Sequence, residues 1–353
     1  MSYLSINNVR IAGISACVPE NVEENFNLSI FKDELEAKNV ITSTGIERKH
    51  VVMPGTLASD LSIPAVEKLL KELNWAKSSI DLLVFCSLAR DYIAPQTSCI
   101  LQDRLSLSTN TCVFDLPIGC AGYVQGMSMV SSMISHGGMK RALFICAETN
   151  SINRSKKDKT VRPLFGDAAT VTALEYSHEA KKPFNFVFGT DGSGCKAIWT
   201  PAGGMRNPVT EEDLKEIEVE PGVIRRSVDM AVNGMDVFGF AIKRPPKAIK
   251  DLMMKYNIDV QTLDYLFLHQ ANKYIDEKIR KSLEIPSEKV PYCLEDYGNV
   301  TSASIPLTVV TCCQKNVVSK ANHCIAAGFG IGFEWACMEF DLTNIVCPSV
   351  INI

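Results

Sequence analysis

Cys120 is the residue of this chain whose setting most favours covalent chemistry. It stands between CVFDL, an apolar run of strand length, and the almost uncharged stretch AGYVQGMSMVSSMIS, whose pattern predicts a buried helix. Its sulfur is then at or beside a helix N-terminus, where backbone N–H groups and the helix dipole favour the nucleophilic thiolate. Gly119, Ala121 and Gly122 are small and leave a substrate room to approach. His269 closes the run YLFL and opens HQAN. That predicts the C-terminal end of a strand, the edge where open α/β sheets bind ligands, although a lone histidine there can equally be structural. Asn299 lies in DYGNVTSAS and, taken alone, reads as a turn residue. The segment GFGIGFEW, from Gly328 to Trp335, follows the apolar run CIAA. Its glycines let backbone N–H groups reach a reacting oxygen. It lacks the strand, phosphate loop and helix with a later ribose-binding acid, so dinucleotide binding is discounted.

The elements that must position these residues come in two copies. Residues 65–85 (AVEKLLKELNWAKSSIDLLVF) match residues 248–268 (AIKDLMMKYNIDVQTLDYLFL) at a constant offset. Ala65 pairs with Ala248, Leu69 with Leu252, Asn74 with Asn257 and Asp81 with Asp264. Each copy reads as a helix, a short polar stretch and a strand. Weaker echoes follow in the same order: the segment from Phe114 with that from Glu295, and RALFICAET with NHCIAAGFG. The expected fold class is therefore α/β, with two duplicated halves, 1–180 and 181–353, meeting near residues 176–185. The pseudo-symmetry brings Asn299 toward the axis that holds Cys120. Residues 23–60 and 200–230 fall outside the repeat and are candidate lids. SKKDK at 155–159 reads as a solvated loop.

Composition narrows the function classes. Of the 353 residues 46% are apolar and 22% charged, as in ordinary globular enzymes. The net charge of −4, from 36 basic and 40 acidic side chains, argues against nucleic-acid binding. No apolar run is long enough to span a membrane, and the N-terminus lacks the core of a signal peptide. Thirteen scattered cysteines, with no C-x-x-C pair, fit neither a secreted disulfide framework nor a zinc site. The expectation is a cytoplasmic protein with free thiols, no metal, and twelve cysteines that only pack.

With these residues in view, the whole chain resembles the β-ketoacyl-acyl carrier protein synthase III family of the thiolase-like superfamily. The resemblance rests on an ordered set of segments: ACVPE near Cys17, TGIERKH at 44–50, DLPIGCAGY around Cys120, LFGDAA at 164–169, DGSG at 191–194, HQAN at 269–272, YGNVTSASIP at 297–306 and GFGIGFEW at 328–335. It implies a five-layered α/β/α/β/α thiolase-like fold, a homodimer, and a Cys–His–Asn centre at Cys120, His269 and Asn299. The implied chemistry is acyl transfer from a thioester to Cys120, then decarboxylative condensation with malonyl-acyl carrier protein. Backbone N–H groups of Cys120 and Ile331 would form an oxyanion hole, and Phe238, Gly330 and Gly332 would shape the substrate pocket. No cofactor is bound permanently; acyl-coenzyme A or an acyl-carrier protein and malonyl-carrier protein are substrates.

The chain also departs from the family. Where the family places a Trp and an Arg that clamp coenzyme A, this chain has Asn39 and Ser43. The Arg that often follows HQAN is Tyr274, which leaves Lys273, Lys243 and Arg244 as candidate carrier-protein contacts. Ile331 replaces a glycine of the glycine motif, and 200–230 is longer than usual. These departures point to specialised lipid or secondary metabolism. The alternative on the same fold is an acyltransferase that makes an ester or amide without condensation. A non-catalytic partner subunit would not need all three centre residues. A papain-like protease shares the Cys, His, Asn order but not the duplicated plan or a CGSCW-like segment.

Overall fold

The computed structural model describes residues 1–180 and 182–353 and, over 313–320, the backbone alone. Its apolar runs form two sheets. The chain opens on β1 (Ser2–Ile6). The first sheet takes β2 (Val9–Val18), β3 (Leu82–Cys86), β4 (Cys112–Leu116), β5 (Arg141–Thr149) and β6 (Asp167–Tyr176). The second takes β7 (Phe184–Thr190), β8 (Tyr265–Leu268), β9 (Cys324–Gly330) and β10 (Glu334–Phe340), and β11 (Ile351–Asn352) closes the chain. The strand orders are β11-β2-β6-β5-β3-β4 and β1-β7-β10-β9-β8. The run β2-β6-β5-β3 thus has its counterpart in β7-β10-β9-β8. In both runs the successive pairings are antiparallel, antiparallel and parallel. The terminal strands cross over: β1 pairs with β7, and β11 with β2.

Four helices, α1 (Ala58–Leu73), α2 (Gly122–Ile134), α3 (Arg244–Tyr256) and α4 (Ser304–Lys320), complete the layers. The paired positions of the repeat do the same job in each copy. Asn74 and Asn257 end α1 and α3 in the left-handed conformation, with φ of 53° and 55°, a stop that asparagine tolerates. Asp81 accepts from the N–H groups of Lys140 and Arg141, and Asp264 from those of Asn322 and His323, pinning the starts of β5 and β9.

Leu61, Ala65, Val66 and Leu69 of α1 pack on the outer face of the first sheet. Ala248, Ile249 and Leu252 of α3 pack on the outer face of the second. Between the sheets lie α2, through Tyr123, Val124, Met127 and Val130, and α4, through Ile305, Leu307, Val309 and Val310. Each fully buried aliphatic side chain stabilises the fold by about 1.5–3 kcal/mol. The architecture is α/β/α/β/α, and strands buried on both faces explain the unbroken apolar runs. Among the described residues, no helix is long and apolar enough to cross a membrane and no group of His, Cys, Asp or Glu could hold a metal ion.

Candidate active site

The N-terminus of α2 opens on a cavity of about 660 Å³. Cys120, His269, Asn299, Gly330 and Ile331 all line it. Cys120 is 6% exposed and lies just before the first turn of α2, a terminus with no side-chain cap. Its own N–H has no hydrogen-bond partner among the described residues. The end of β9 presses against it from the second sheet. A Cβ on Gly330 would lie 2.8 Å from both Cβ and Sγ of Cys120, so only glycine fits. Gly332, with φ of 137°, makes the tight link from β9 to β10 possible. That link aims the Ile331 N–H at the Cys120 sulfur. Two backbone donors, of Cys120 and Ile331, therefore flank the sulfur.

The expected thiolate is not the resting state. Burial pushes the Cys120 thiol up to about 12, Glu148 and Glu334 push in the same direction, and the Ile331 N–H and Arg154 only partly oppose them. Desolvation outweighs both. Iodoacetamide alkylation of Cys120, followed on its own peptide, should therefore still rise about tenfold between pH 9 and pH 10, where a thiol at the usual value of about 8.5 has nearly levelled off. A plateau by pH 7 would contradict this.

His269 continues the β8–β9 ladder, its N–H donating to Ala327 O at 2.8 Å, and its ring is 2% exposed, edge-on to Phe329. Burial lowers its pKa to about 4, with the Thr301 backbone opposing the shift. The imidazole is thus neutral at physiological pH and carries one N–H. Asn299 is clamped by backbone bonds to Leu164 and Gly166, and its Oδ1 accepts from the Thr301 N–H at 2.9 Å. With Oδ1 held, the amide NH₂ is the group Asn299 has left to donate. The cavity thus gathers a thiol, a neutral imidazole, an amide donor and two backbone N–H groups. Such a set can hold an acyl group on sulfur and stabilise a developing oxyanion.

The structure adds two residues not singled out from the sequence. Glu148, near the end of β5, is buried, accepts from the Leu88 N–H at 3.1 Å and is raised by burial to about 7. Arg154 lines the cavity and is lowered by burial to about 10. One acid inside the apolar run ICAET was the available signal for Glu148. Arg154 was hidden in a charged stretch, and that stretch is not simply solvated. Ser155 and Asp158 are buried, with Ser155 Oγ donating to Ile224 O at 2.6 Å. The partner is the hairpin Ile217–Glu220/Val223–Arg225 of the 200–230 segment, which contributes Glu220 and Arg225 to the cavity wall.

The other expected residues are placed variously. Phe238 stacks on Tyr274, ring centroids 5.7 Å apart, while its neighbours Val237, Phe240 and Ala241 line the cavity instead. Gly332 sits behind Ile331 rather than in the lining. Lys243 and Arg244 border an adjoining groove together with Lys196, and Arg244 approaches Asp191 at 3.5 Å. Lys273 is exposed at the start of the helix Lys273–Ser282.

Comparison with known proteins agrees with this construction. Residues 114–192 match the family 3-Oxoacyl-[acyl-carrier-protein (ACP)] synthase III, and residues 253–342 match its C-terminal counterpart. The chain is 31% identical to a beta-ketoacyl-[acyl-carrier-protein] synthase III of Fusobacterium nucleatum, over 93% of this chain and 97% of the relative. It is 30% identical to that of Clostridium tetani, over 93% and 96%. The crystal structure of a 3-oxoacyl-(acyl-carrier protein) synthase from Burkholderia xenovorans superposes with a TM-score of 0.91 at 30% identity, covering 100% of this chain and 99% of that one. The chain belongs to the β-ketoacyl-acyl carrier protein synthase III family, with the thiolase-like fold.

Proposed function

We propose that this protein is a condensing enzyme that builds a β-ketoacyl thioester, with Cys120 as nucleophile. The observation behind this reading is the meeting of Cys120, His269 and Asn299 in one cavity, with the Cys120 and Ile331 N–H groups at the sulfur. In the first half-reaction the Cys120 sulfur attacks the carbonyl of an acyl thioester. The carbon–sulfur bond to the carrier breaks, and the carrier thiol leaves with the Cys120 proton. The two backbone N–H groups stabilise the tetrahedral oxyanion. In the second, a malonyl thioester loses CO₂, and the neutral His269 N–H and the Asn299 amide donate to its thioester oxygen as enolate charge develops. The carbanion attacks the acyl carbonyl, the bond to Cys120 breaks, and the thiolate regains a proton from solvent. A neutral His269 suits this role, because it donates without needing to ionise.

The substrates follow from the same reading: an acyl thioester and malonyl-acyl carrier protein, with no resident cofactor. Asn39 and Ser43 are exposed on the helix Glu34–Thr44 and offer no aromatic surface to an adenine. That favours carrier-delivered acyl groups over coenzyme A and a specialised lipid pathway. Lys243 and Arg244, beside the groove that adjoins the cavity, and the exposed Lys273 are the proposed carrier-protein contacts. We assign the duplicated units to residues 1–180 and 181–353 on their matching strand orders, and the assembly to a homodimer. The unpaired Cys99, Cys195 and Cys312, all exposed, suit a reducing cytoplasm.

The test is product analysis with malonyl-acyl carrier protein as acceptor. One CO₂ released and one β-ketoacyl-carrier formed per acyl group consumed is the expected stoichiometry. Transfer of the acyl group to a hydroxyl or amine, with no CO₂, would replace condensation by simple acyl transfer.

A further inference from the structure

The condensing reaction makes no use of Arg154, yet its side chain lines the same cavity as Cys120 and the residue is only 5% exposed. Its nitrogens donate to neutral acceptors: Nη1 to Asn153 Oδ1, and Nη2 to Asn150 Oδ1 at 3.0 Å. The guanidinium lies over the Phe165 ring, 4.6 Å from its centroid. Nε is buried and has no partner among the described residues. No carboxylate among those residues forms an ion pair with it. Glu148 and Asp167 act on it only through space, and both are engaged elsewhere, by the Leu88 N–H and by Ser151 with the Val52 N–H. Arginine does not give up its proton in proteins, so this charge cannot be relieved by neutralisation. A buried charge without a contacting counter-ion is strongly destabilising. A ligand that brings an anion into the cavity removes that strain.

The surroundings say which part of the substrate this is. Phe165, beneath the guanidinium, forms a backbone bridge to Asn299, so Arg154 stands beside the catalytic cluster rather than at the entrance. Two substrate carboxylates are conceivable there: one on the acyl chain, or the malonyl carboxylate. The malonyl carboxylate must depart as CO₂. An arginine pairing with it holds the ground state more tightly than the transition state and slows the reaction. A carboxylate that stays on the acyl chain carries no such penalty.

Resting on the condensing-enzyme reading above, we infer that Arg154 sets acyl specificity by pairing with a carboxylate borne by the chain that Cys120 carries. The enzyme is thereby directed to acyl groups of dicarboxylic type. Asn150 and Asn153 hold the guanidinium in place, each taking one Nη proton, and the second proton on each Nη is left to donate to the incoming oxygen.

Loading rates measured by intact mass on the full-length protein test this, with succinyl- against butyryl-pantetheine and glutaryl- against valeryl-pantetheine. The wild type should load the carboxylated member of each pair at least about tenfold faster. Arg154→Met should lose that preference while loading butyryl-pantetheine at the wild-type rate or faster, which also shows that the variant is folded. Faster loading of the uncharged chains by the wild type would overturn the inference without touching the condensing reading. So would an unchanged preference in Arg154→Met. If Arg154→Met, preloaded with a butyryl group, instead lost condensation with malonyl-acyl carrier protein, the anion would be the extender's and the assignment to the acyl chain would fall. An adduct from none of the four thioesters, nor from any acyl-carrier thioester, would remove the condensing reading itself, and this inference with it.

Discussion

Replacing Cys120 with alanine should abolish the covalent acyl adduct and lower condensation by roughly a thousandfold or more. The substitution removes only a sulfur at the edge of the cavity, so the fold should persist. The Cys120 N–H and the Ile331 N–H remain in place, and so do His269 and Asn299. Every contribution except covalent capture survives, which makes the variant a test of that step alone. Intact mass after incubation with acyl thioesters and turnover with malonyl-acyl carrier protein are the two readouts. An adduct that persists in Cys120→Ala would place the nucleophile elsewhere. The exposed Cys99, Cys195 and Cys312 are then the thiols to examine first.

Asn299→Ala is expected to separate the two half-reactions. Its side chain is assigned to the malonyl thioester oxygen, and removing one such donor lowers the rate by about a hundred- to a thousandfold. Acyl loading, served by the Cys120 and Ile331 N–H groups, should fall by less than about tenfold, or about 1.4 kcal/mol. The structural loss is limited. The bonds to Leu164 and Gly166 are made by the Asn299 backbone, and only the Oδ1 bond to Thr301 N–H goes, a change of about 1 kcal/mol. His269→Ala should follow the same pattern, because a neutral imidazole donates to the same oxygen. Rapid-quench kinetics of loading and of discharge of the preloaded acyl group distinguish the outcomes. Equal losses in both half-reactions would show that Asn299 serves the sulfur rather than the extender.

Much of this was legible in the residues, for physical reasons. The repeated pairs Asn74/Asn257 and Asp81/Asp264 mark places where the backbone demands a left-handed stop or a capping carboxylate, so duplication left them in register. The strands read cleanly because both faces of each sheet are covered. Cys120 and His269 were visible because each follows an apolar run, Asn299 only because the repeat pairs its segment with that of Cys120, and the three converge on one cavity.

What escaped the sequence depends on contacts between distant segments. The state of the Cys120 thiol turns on burial, which the second sheet supplies through β9. Arg154 reads as one more charge beside SKKDK until Asn150, Phe165 and the 217–225 hairpin are seen around it. Phe238 follows from helical phase: its neighbours Val237, Phe240 and Ala241 share the face of the helix Gly234–Ala241 that turns to the cavity.

The decisive observable is where the acyl group is held. Peptide-resolved mass spectrometry of the wild-type protein, quenched after incubation with a panel of acyl-carrier and acyl-pantetheine thioesters, reads this. The predicted result is a single acyl adduct on the peptide containing Cys120, discharged when malonyl-acyl carrier protein is added. An adduct on any other residue, or none from any thioester, would contradict it.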